Sequence, residues 1–413
     1  MFDIKYIREN PKKVEKAARD KGVILNMDEI LEIDKKTQIL RIAQQKLQED
    51  RNKAAKKQDK EKGKNIKGKI EDLEEELLPL EKKLTEILLS IPNIAKPDVK
   101  VGKDESENEV IKKAGTPKKF EFDPLDHLDL GEALNIIDVD KASRVSGARF
   151  AYLKNEGVLL EFALIQLALE TLIKEGFIPV LPPALIKTDV MKGLGYMERG
   201  GGEDMFHIPQ DSLTLIGTAE HSIVSMHMGE TFNAKDLPKR YVGFSPAFRR
   251  EAGSYGKDTR GILRVHQFDK VEMVSFVAEG QDDNEHEYLL SLEEKLFQFL
   301  KIPYRIVKMC TGDLGFPAAR KYDLEAWMPG QNNYREVTSV STVTTFQSRR
   351  LKIRYQEDDQ KKFVNILNGT AFAIGRTIIA ILENYQRKDG TIEIPQALQK
   401  YMFGVKIISR KNN

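Results

Sequence analysis

The sequence nearly lacks cysteine: Cys310 is the only one in 413 residues. That excludes an internal disulfide and a zinc site built from several thiolates, and it fits a reducing cytosol. No apolar run approaches the length of a bilayer span, so no membrane partner is expected. The N-terminus carries Asp3 and Glu9 and lacks an apolar stretch, so it reads as neither signal nor transit peptide. A cytoplasmic location is the expectation. An excess of either charge is also missing. Lys and Arg number 66 against 64 Asp and Glu, so any nucleic-acid footprint must be a local patch. No strand-like run is followed by G-x-G-x-x-G or G-x-x-x-x-G-K-[ST], which leaves Rossmann and P-loop chemistry unsupported.

What is present divides near residue 100. Residues 28–92 contain no Trp, Phe or Tyr and are dense in Lys, Glu, Leu and Ile. Ile66, Ile70, Leu73, Leu77, Leu80, Leu84, Ile87 and Ile91 alternate steps of four and three, the seam of a coiled coil. Ile33, Leu40, Leu47 and Ala54 give a weaker seven-residue repeat. We expect two antiparallel helices, with a turn where Gly63, Asn65 and Gly68 break the pattern, forming an arm that projects from the body. Pro79 predicts a kink or joint in the second helix. The tip is basic, with Arg51, Lys53, Lys56, Lys57, Lys60, Lys62, Lys64, Lys67 and Lys69 against Asp59 and Glu61. Alone, such a tip reads either as a solvated helical face or as a phosphate-binding surface driven by counterion release.

A polar stretch through Pro117 reads as linker. Thereafter strand-like runs (177–181, 240–244, 263–277, 304–309) alternate with helical patterns (159–175, 282–300, 375–386). The strands come in hairpin-like pairs, which predicts an α+β domain: an antiparallel sheet flanked by helices. The expected division is 1–105 for the N-terminal domain, with its arm at about 28–92, and 106–413 for the second domain.

Three clusters carry candidate chemistry. Phe248-Arg249-Arg250-Glu251 ends a strand, a Gly-rich charged loop follows from Ala252 to Gly261, and the returning strand bears Val265-His266-Gln267-Phe268 and Glu272. Alternation along a strand puts Arg249 and Glu251 on one face. A forked guanidinium suits phosphate or carboxylate, and Phe268 can stack on a flat base or simply pack in a core. The run from Gly369 to Thr377 is expected to open a helix, with Arg376 in its first turns where anions are attracted. In Tyr334-Arg335-Glu336-Val337-Thr338-Ser339, Glu336 and Ser339 offer oxygen ligands of the kind Mg²⁺ takes, although strand-edge polarity is the plainer reading.

Taken in order, these runs resemble the class II aminoacyl-tRNA synthetases: residues 157–183 resemble motif 1, 240–277 motif 2 and 363–387 motif 3. Within that class the chain is similar to the seryl-tRNA synthetases. The likeness rests on Thr218-Ala219-Glu220, Asp258-Thr259-Arg260-Gly261, Val265-His266-Gln267-Phe268, Phe346-Gln347-Ser348-Arg349-Arg350, Leu367-Asn368-Gly369-Thr370, Leu382-Glu383-Asn384-Tyr385-Gln386 and the N-terminal hairpin. The resemblance implies a serine–tRNA ligase that forms seryl-adenylate from L-serine and ATP and then charges tRNA(Ser), with tRNA(Sec) as a second candidate. It implies Arg249 and Arg376 as catalytic residues. It places Arg249, Arg250, Glu251, Val265, Phe268, Glu336, Val337, Thr338, Ser339 and Arg376 at ATP, with Glu336 and Ser339 on Mg²⁺. It places Thr218, Ala219, Glu220, Arg249, Glu272 and Thr370 at serine, and Arg51, Lys53, Lys56 and Lys57 at tRNA. Two apolar stripes on the helix at 159–175 (Leu159, Phe162, Leu169 and Leu172; Leu160, Leu164 and Leu167) add a homodimer to the expectation.

The sequence departs from the family pattern at Thr370-Ala371, where serine and glycine are usual, at His221-Ser222, and at Thr338-Ser339-Val340-Ser341-Thr342. None of these removes a charged group. A non-catalytic RNA-binding paralogue is the alternative from another class. The joint presence of Arg249, Glu251, Glu272, Glu336 and Arg376 counts against it. An enzyme loading a carrier protein would lack the long arm.

Overall fold

The computed structural model describes residues 3–198, 201–252 and 260–410, so the loop residues Gly253 to Thr259 lie outside the described residues. The chain divides into two compact units, Met1–Ile94 and Ala95–Asn413. This division falls earlier in the chain than the expected one at 105/106. The stretch after Ile94 belongs with the larger unit, because Lys96 pairs with Asp282 at 2.7 Å and Asp98 pairs with Lys308 at 2.6 Å. Nor is all of 98–117 linker, since Glu109–Ala114 forms a strand.

In the smaller unit, helices α1 (Met27–Lys56) and α2 (Lys60–Leu89) run antiparallel. The expected seam is the buried one: Ile66, Ile70, Leu77, Leu84 and Ile91 are all below 9 % exposed. At the base, Ile7 and Val14 from two short preceding helices pack with Ile30, Ile33, Leu84, Leu88 and Ile91. Arg8 clamps Asp34 through two bonds of 2.6 and 3.0 Å. Farther along, Arg41 meets Glu81 and Gln44 meets Glu74 across the pair. The turn falls at residues 57–59 rather than at the glycines. Gln58 adopts a positive φ of 59°, and the Asp59 carboxylate accepts from the Lys62 amide, capping α2. Gly63 and Gly68 therefore lie inside the helix, each costing about 1 kcal/mol relative to alanine. Pro79 is also interior, and α2 runs through it.

The larger unit is built on an eight-stranded sheet. In chain order the strands are β1 (Glu109–Ala114), β2 (Ile178–Val180), β3 (Lys239–Phe248), β4 (Gln267–Val277), β5 (Tyr304–Lys308), β6 (Arg320–Met328), β7 (Asn333–Thr344) and β8 (Asn365–Ala373). Their order across the sheet is β1-β5-β6-β7-β8-β4-β3-β2, antiparallel throughout except for the β2–β3 pair. Helices α3 (His127–Ala133), α4 (Glu156–Lys174), α5 (Ala219–Ser225), α6 (Asp282–Leu300), α7 (Phe346–Leu351) and α8 (Ile374–Tyr385) flank it.

Alternation along β4 explains how one strand serves both core and site. Val271, Met273 and Val277 join the main apolar core with α4, α6 and α8. On the other face Val274 and Phe276 join a second core, and Phe268, Lys270 and Glu272 line open space. The run Gly369–Ala373, expected to open a helix, instead completes β8, and α8 starts at Ile374. Burial of β8 on both faces hides its strand period. Of the two stripes on α4, Leu160, Leu164 and Leu167 are buried as a set. The other splits, with Leu172 fully buried and Phe162 55 % exposed.

Candidate active site

Two cavities adjoin on the sheet. The first, about 170 Å³, is lined by Arg249, Glu251, Val265, Phe268, Glu336, Val337, Thr338, Ser339 and Arg376, among others. Nine of the ten residues assigned to ATP from the sequence thus meet in one place. The exception is Arg250, whose guanidinium stacks over Phe206 at 5.1 Å, outside that lining. The second cavity, about 340 Å³, is lined by Thr218, Glu220, His221, Arg249, Glu272 and Tyr196, among others. Ala219, the first residue of α5, is fully buried and does not line it. Thr370 lines the first cavity but donates to Oε2 of Glu272 at 3.2 Å, which ties it to the second.

Arg249, Lys270, Lys321 and Ser339 line both cavities. Arg249 follows the end of β3, so strand alternation does not set its relation to Glu251. Glu251, at a positive φ of 52°, lines the first cavity. The Arg249 guanidinium donates through Nε and Nη2 to the Gly217 carbonyl at 3.3 and 3.2 Å and lies 5.4 Å from the Phe268 ring centre. That fixes the arginine by the backbone and the ring, with no carboxylate among these contacts. Glu251 pairs with Arg264 at 3.3 Å.

At the far end of the first cavity, Nη1 of Arg376 donates to the Glu336 carbonyl at 3.0 Å and to its carboxylate at 2.8 Å. Burial alone would raise the Glu336 pKa. Arg376, then Lys321 and Arg249, outweigh burial and hold it down at about 2. Lys321 in turn lies 3.0 Å from Asp323. Among the described residues no group of three His, Cys, Asp or Glu side chains could hold a metal. A divalent ion here would draw on Glu336, Ser339 and phosphate oxygens, a donor set that suits Mg²⁺.

In the second cavity, Thr218 caps α5, its hydroxyl accepting from the Glu220 amide. Glu220 accepts from the Tyr196 hydroxyl at 2.9 and 3.0 Å and from the Gln347 amide at 2.8 Å. Burial pushes its pKa up to about 7, against the stabilising Gln347 bond. His221 is held neutral by burial, then by Arg249 and Lys270, with its pKa lowered to about 3. Its Nδ1 accepts from the Gly217 amide at 3.3 Å. Gly261 closes the charged loop with a φ of 76°, and a Cβ there would fall 2.1 Å from Nε2 of His127.

Sequence reasoning missed Lys270, Lys321, Tyr196 and the role of Gln347. Only Lys270 carried a usable signal, its i+2 spacing between Phe268 and Glu272 on β4. The basic residues Arg51, Lys53, Lys56 and Lys57 are exposed near the α1–α2 turn.

Residues 205–385 match the family model for the tRNA synthetase class II core domain (G, H, P, S and T), and residues 1–95 match the seryl-tRNA synthetase N-terminal domain. The chain is similar to the serine–tRNA ligase of Dictyoglomus turgidum, with 44% identity covering 97% of this chain and 98% of that one. Among solved structures it is similar to the seryl-tRNA synthetase of Pyrococcus horikoshii complexed with ATP. That similarity has a TM-score of 0.93 and 42% identity and covers all of both chains. The cytoplasmic serine–tRNA ligase of Naegleria fowleri in complex with AMP aligns with a TM-score of 0.89 and 32% identity, over 100% of this chain and 99% of that one.

Proposed function

The chain belongs to the seryl-tRNA synthetase family and is an ATP-dependent serine–tRNA ligase, and we propose that its two substrates for activation meet on either side of Arg249. The observation that carries this reading is that Arg249 lines both cavities. In the first, ATP lies with adenine on Phe268 and its amino group donating to Glu251. The far phosphate end reaches Arg376. In the second, the serine ammonium and hydroxyl face Thr218, Glu220 and Glu272, with Thr370 supporting Glu272.

Activation joins a serine carboxylate oxygen to the α-phosphorus and breaks the bond to pyrophosphate. The substrate supplies the nucleophile, so the protein contributes position and charge. Arg249 forks between carboxylate and α-phosphate and stabilises the charge that grows there. Mg²⁺, held by Glu336 with Ser339, would neutralise phosphate charge when bound. The neutral His221 adds no cation that would compete with Arg249 for the substrate carboxylate. The seryl group then passes to the 3′ end of tRNA(Ser).

We assign the basic end of the α1–α2 pair to the tRNA backbone. Phe162, Ile173, Ile178 and Leu181, at 47 to 80 % exposed, form an apolar set in and just after α4 that supports a homodimer. No described helix is long and apolar enough to cross a membrane, and we place the enzyme in the cytoplasm. The test is charging. Purified chain with ATP, serine and a tRNA(Ser) transcript should give ester-linked serine, and Arg249→Ala should slow it by about two orders of magnitude or more. Charging by Arg249→Ala at the parent rate would refute the assigned role.

A further inference from the structure

Lys270 has no role in the assignments above, yet it is 7 % exposed and lies where the two cavities meet. A buried ammonium is costly unless paired. Its Nζ lies 2.7 Å from Oε2 of Glu272 and donates to Oγ1 of Thr218 at 3.3 Å. Thr370 donates to the same Oε2 of Glu272, at 3.2 Å. Both contacts fall on one oxygen of a carboxylate that is itself only 1 % exposed. Oε1 accepts no hydrogen bond from any described residue.

We propose that Lys270 is a positioning residue for substrate selection: together with Thr370 it occupies Oε2 of Glu272, leaving Oε1 as the acceptor for the serine hydroxyl. The inference rests on reading the second cavity as the serine pocket. Its physical basis is the crowding of acids. Glu220 and Glu293 are both buried near Glu272, and each feels its charge. Lys270 is the cation in direct contact with the Glu272 carboxylate. Without it, Glu272 would be a buried carboxylate with no cation in contact, held at Oε2 by Thr370 alone. Its two oxygens could then exchange partners, so neither would be fixed as the acceptor for a substrate hydroxyl. Such a pocket would discriminate poorly between an amino acid with a hydroxyl and one without. Lys270 also holds Thr218, so the hydroxyl acceptor and the start of α5 share one anchor.

The test uses full-length enzyme in amino-acid-dependent ATP–pyrophosphate exchange. Lys270→Met and Lys270→Gln both remove the charge, so one remains informative if the other folds poorly. The readout is the ratio of kcat/KM for serine to that for alanine, in which the fraction of active enzyme cancels. We expect the ratio to fall at least about tenfold and the serine KM to rise by a similar factor, since the hydroxyl acceptor is no longer fixed. The KM for ATP should change less than the KM for serine, because the direct partners of the Lys270 ammonium, Glu272 and Thr218, line the second cavity. A ratio unchanged in the folded variants would overturn the role of Lys270. Glu272→Gln is the companion measurement. If it leaves the ratio intact, the serine-pocket reading fails. If it collapses the ratio while the Lys270 variants do not, only the present inference fails.

Discussion

Arg376 and Glu336 neutralise each other in the first cavity, the guanidinium 2.8 Å from the carboxylate and 3.0 Å from the same residue's carbonyl. One is assigned to the phosphate end of ATP and the other to its metal. Nucleotide and ion binding must therefore replace this pair with two new ones. Glu336→Gln keeps the shape and removes the charge. The magnesium concentration for half-maximal pyrophosphate exchange should rise at least about tenfold, with the serine KM little changed. An unchanged magnesium requirement would remove Glu336 from the metal site.

The contacts of Arg249 are a carbonyl and an aromatic ring, so its charge stays available to substrate. Arg249→Ala should slow serine activation by about two orders of magnitude or more, the scale of losing a transition-state charge donor. Arg249→Lys should recover little of this, because an ammonium cannot fork between two anions. Single-turnover adenylate formation measures both. A lysine variant at full rate would contradict the bridging geometry.

Glu161 on α4 and Asp269 on β4 line one pocket, and burial followed by this neighbouring carboxyl raises the Glu161 pKa to about 8. A carboxyl whose pKa is raised by folding gives stability that is complete below its unfolded pKa. That stability is lost as pH rises toward the folded value. The window runs from the ordinary carboxylate range to about pH 8. Glu161→Gln removes the titration. Its Tm relative to the parent should therefore climb steadily from pH 5 to pH 8. A Tm difference that is flat across this range would show that the two carboxyls do not share a proton.

All residues lining the two cavities lie between Tyr196 and Arg376, within the larger unit. Replacing residues 45–73 with a short turn leaves the apolar base of the smaller unit, including Ile30, Leu84 and Ile91, in place. Serine-dependent exchange should persist and tRNA charging should collapse, because the basic tip is gone. Reversing the charge of Arg51, Lys53, Lys56 and Lys57 should weaken tRNA binding and flatten its salt dependence. Loss of exchange in the shortened enzyme would refute this division of labour.

Much of this was legible because periodicity and end signals agreed. The pattern at Asp282–Leu300 reads as a helix and forms one over those residues, and the strand at 304–308 follows as expected. The failures have local causes. The edge strand Glu109–Ala114 is almost wholly exposed, so it shows no apolar alternation against a polar background. Gly63 and Gly68 do not mark the arm turn, because Gln58 accepts a left-handed conformation and Asp59 caps the next helix, so no glycine is needed. Arg249, Glu336 and Arg376 could be named from residue type and order. Their convergence followed only from the family resemblance and not from the residues themselves, because it depends on β3, β4, β7 and α8 meeting across a sheet whose register no single segment specifies. Lys321 and Tyr196 enter the site only through such long-range contacts.

The central claim is that the second cavity reads a hydroxyl on an amino acid activated next door. Pyrophosphate exchange with each of the twenty amino acids tests it in one experiment. The account predicts strong exchange with serine and at least about a hundredfold less with alanine, since a buried acceptor is left unpaired when the hydroxyl is missing. Threonine should be rejected by its added methyl group. Exchange with alanine or glycine equal to that with serine would contradict the account.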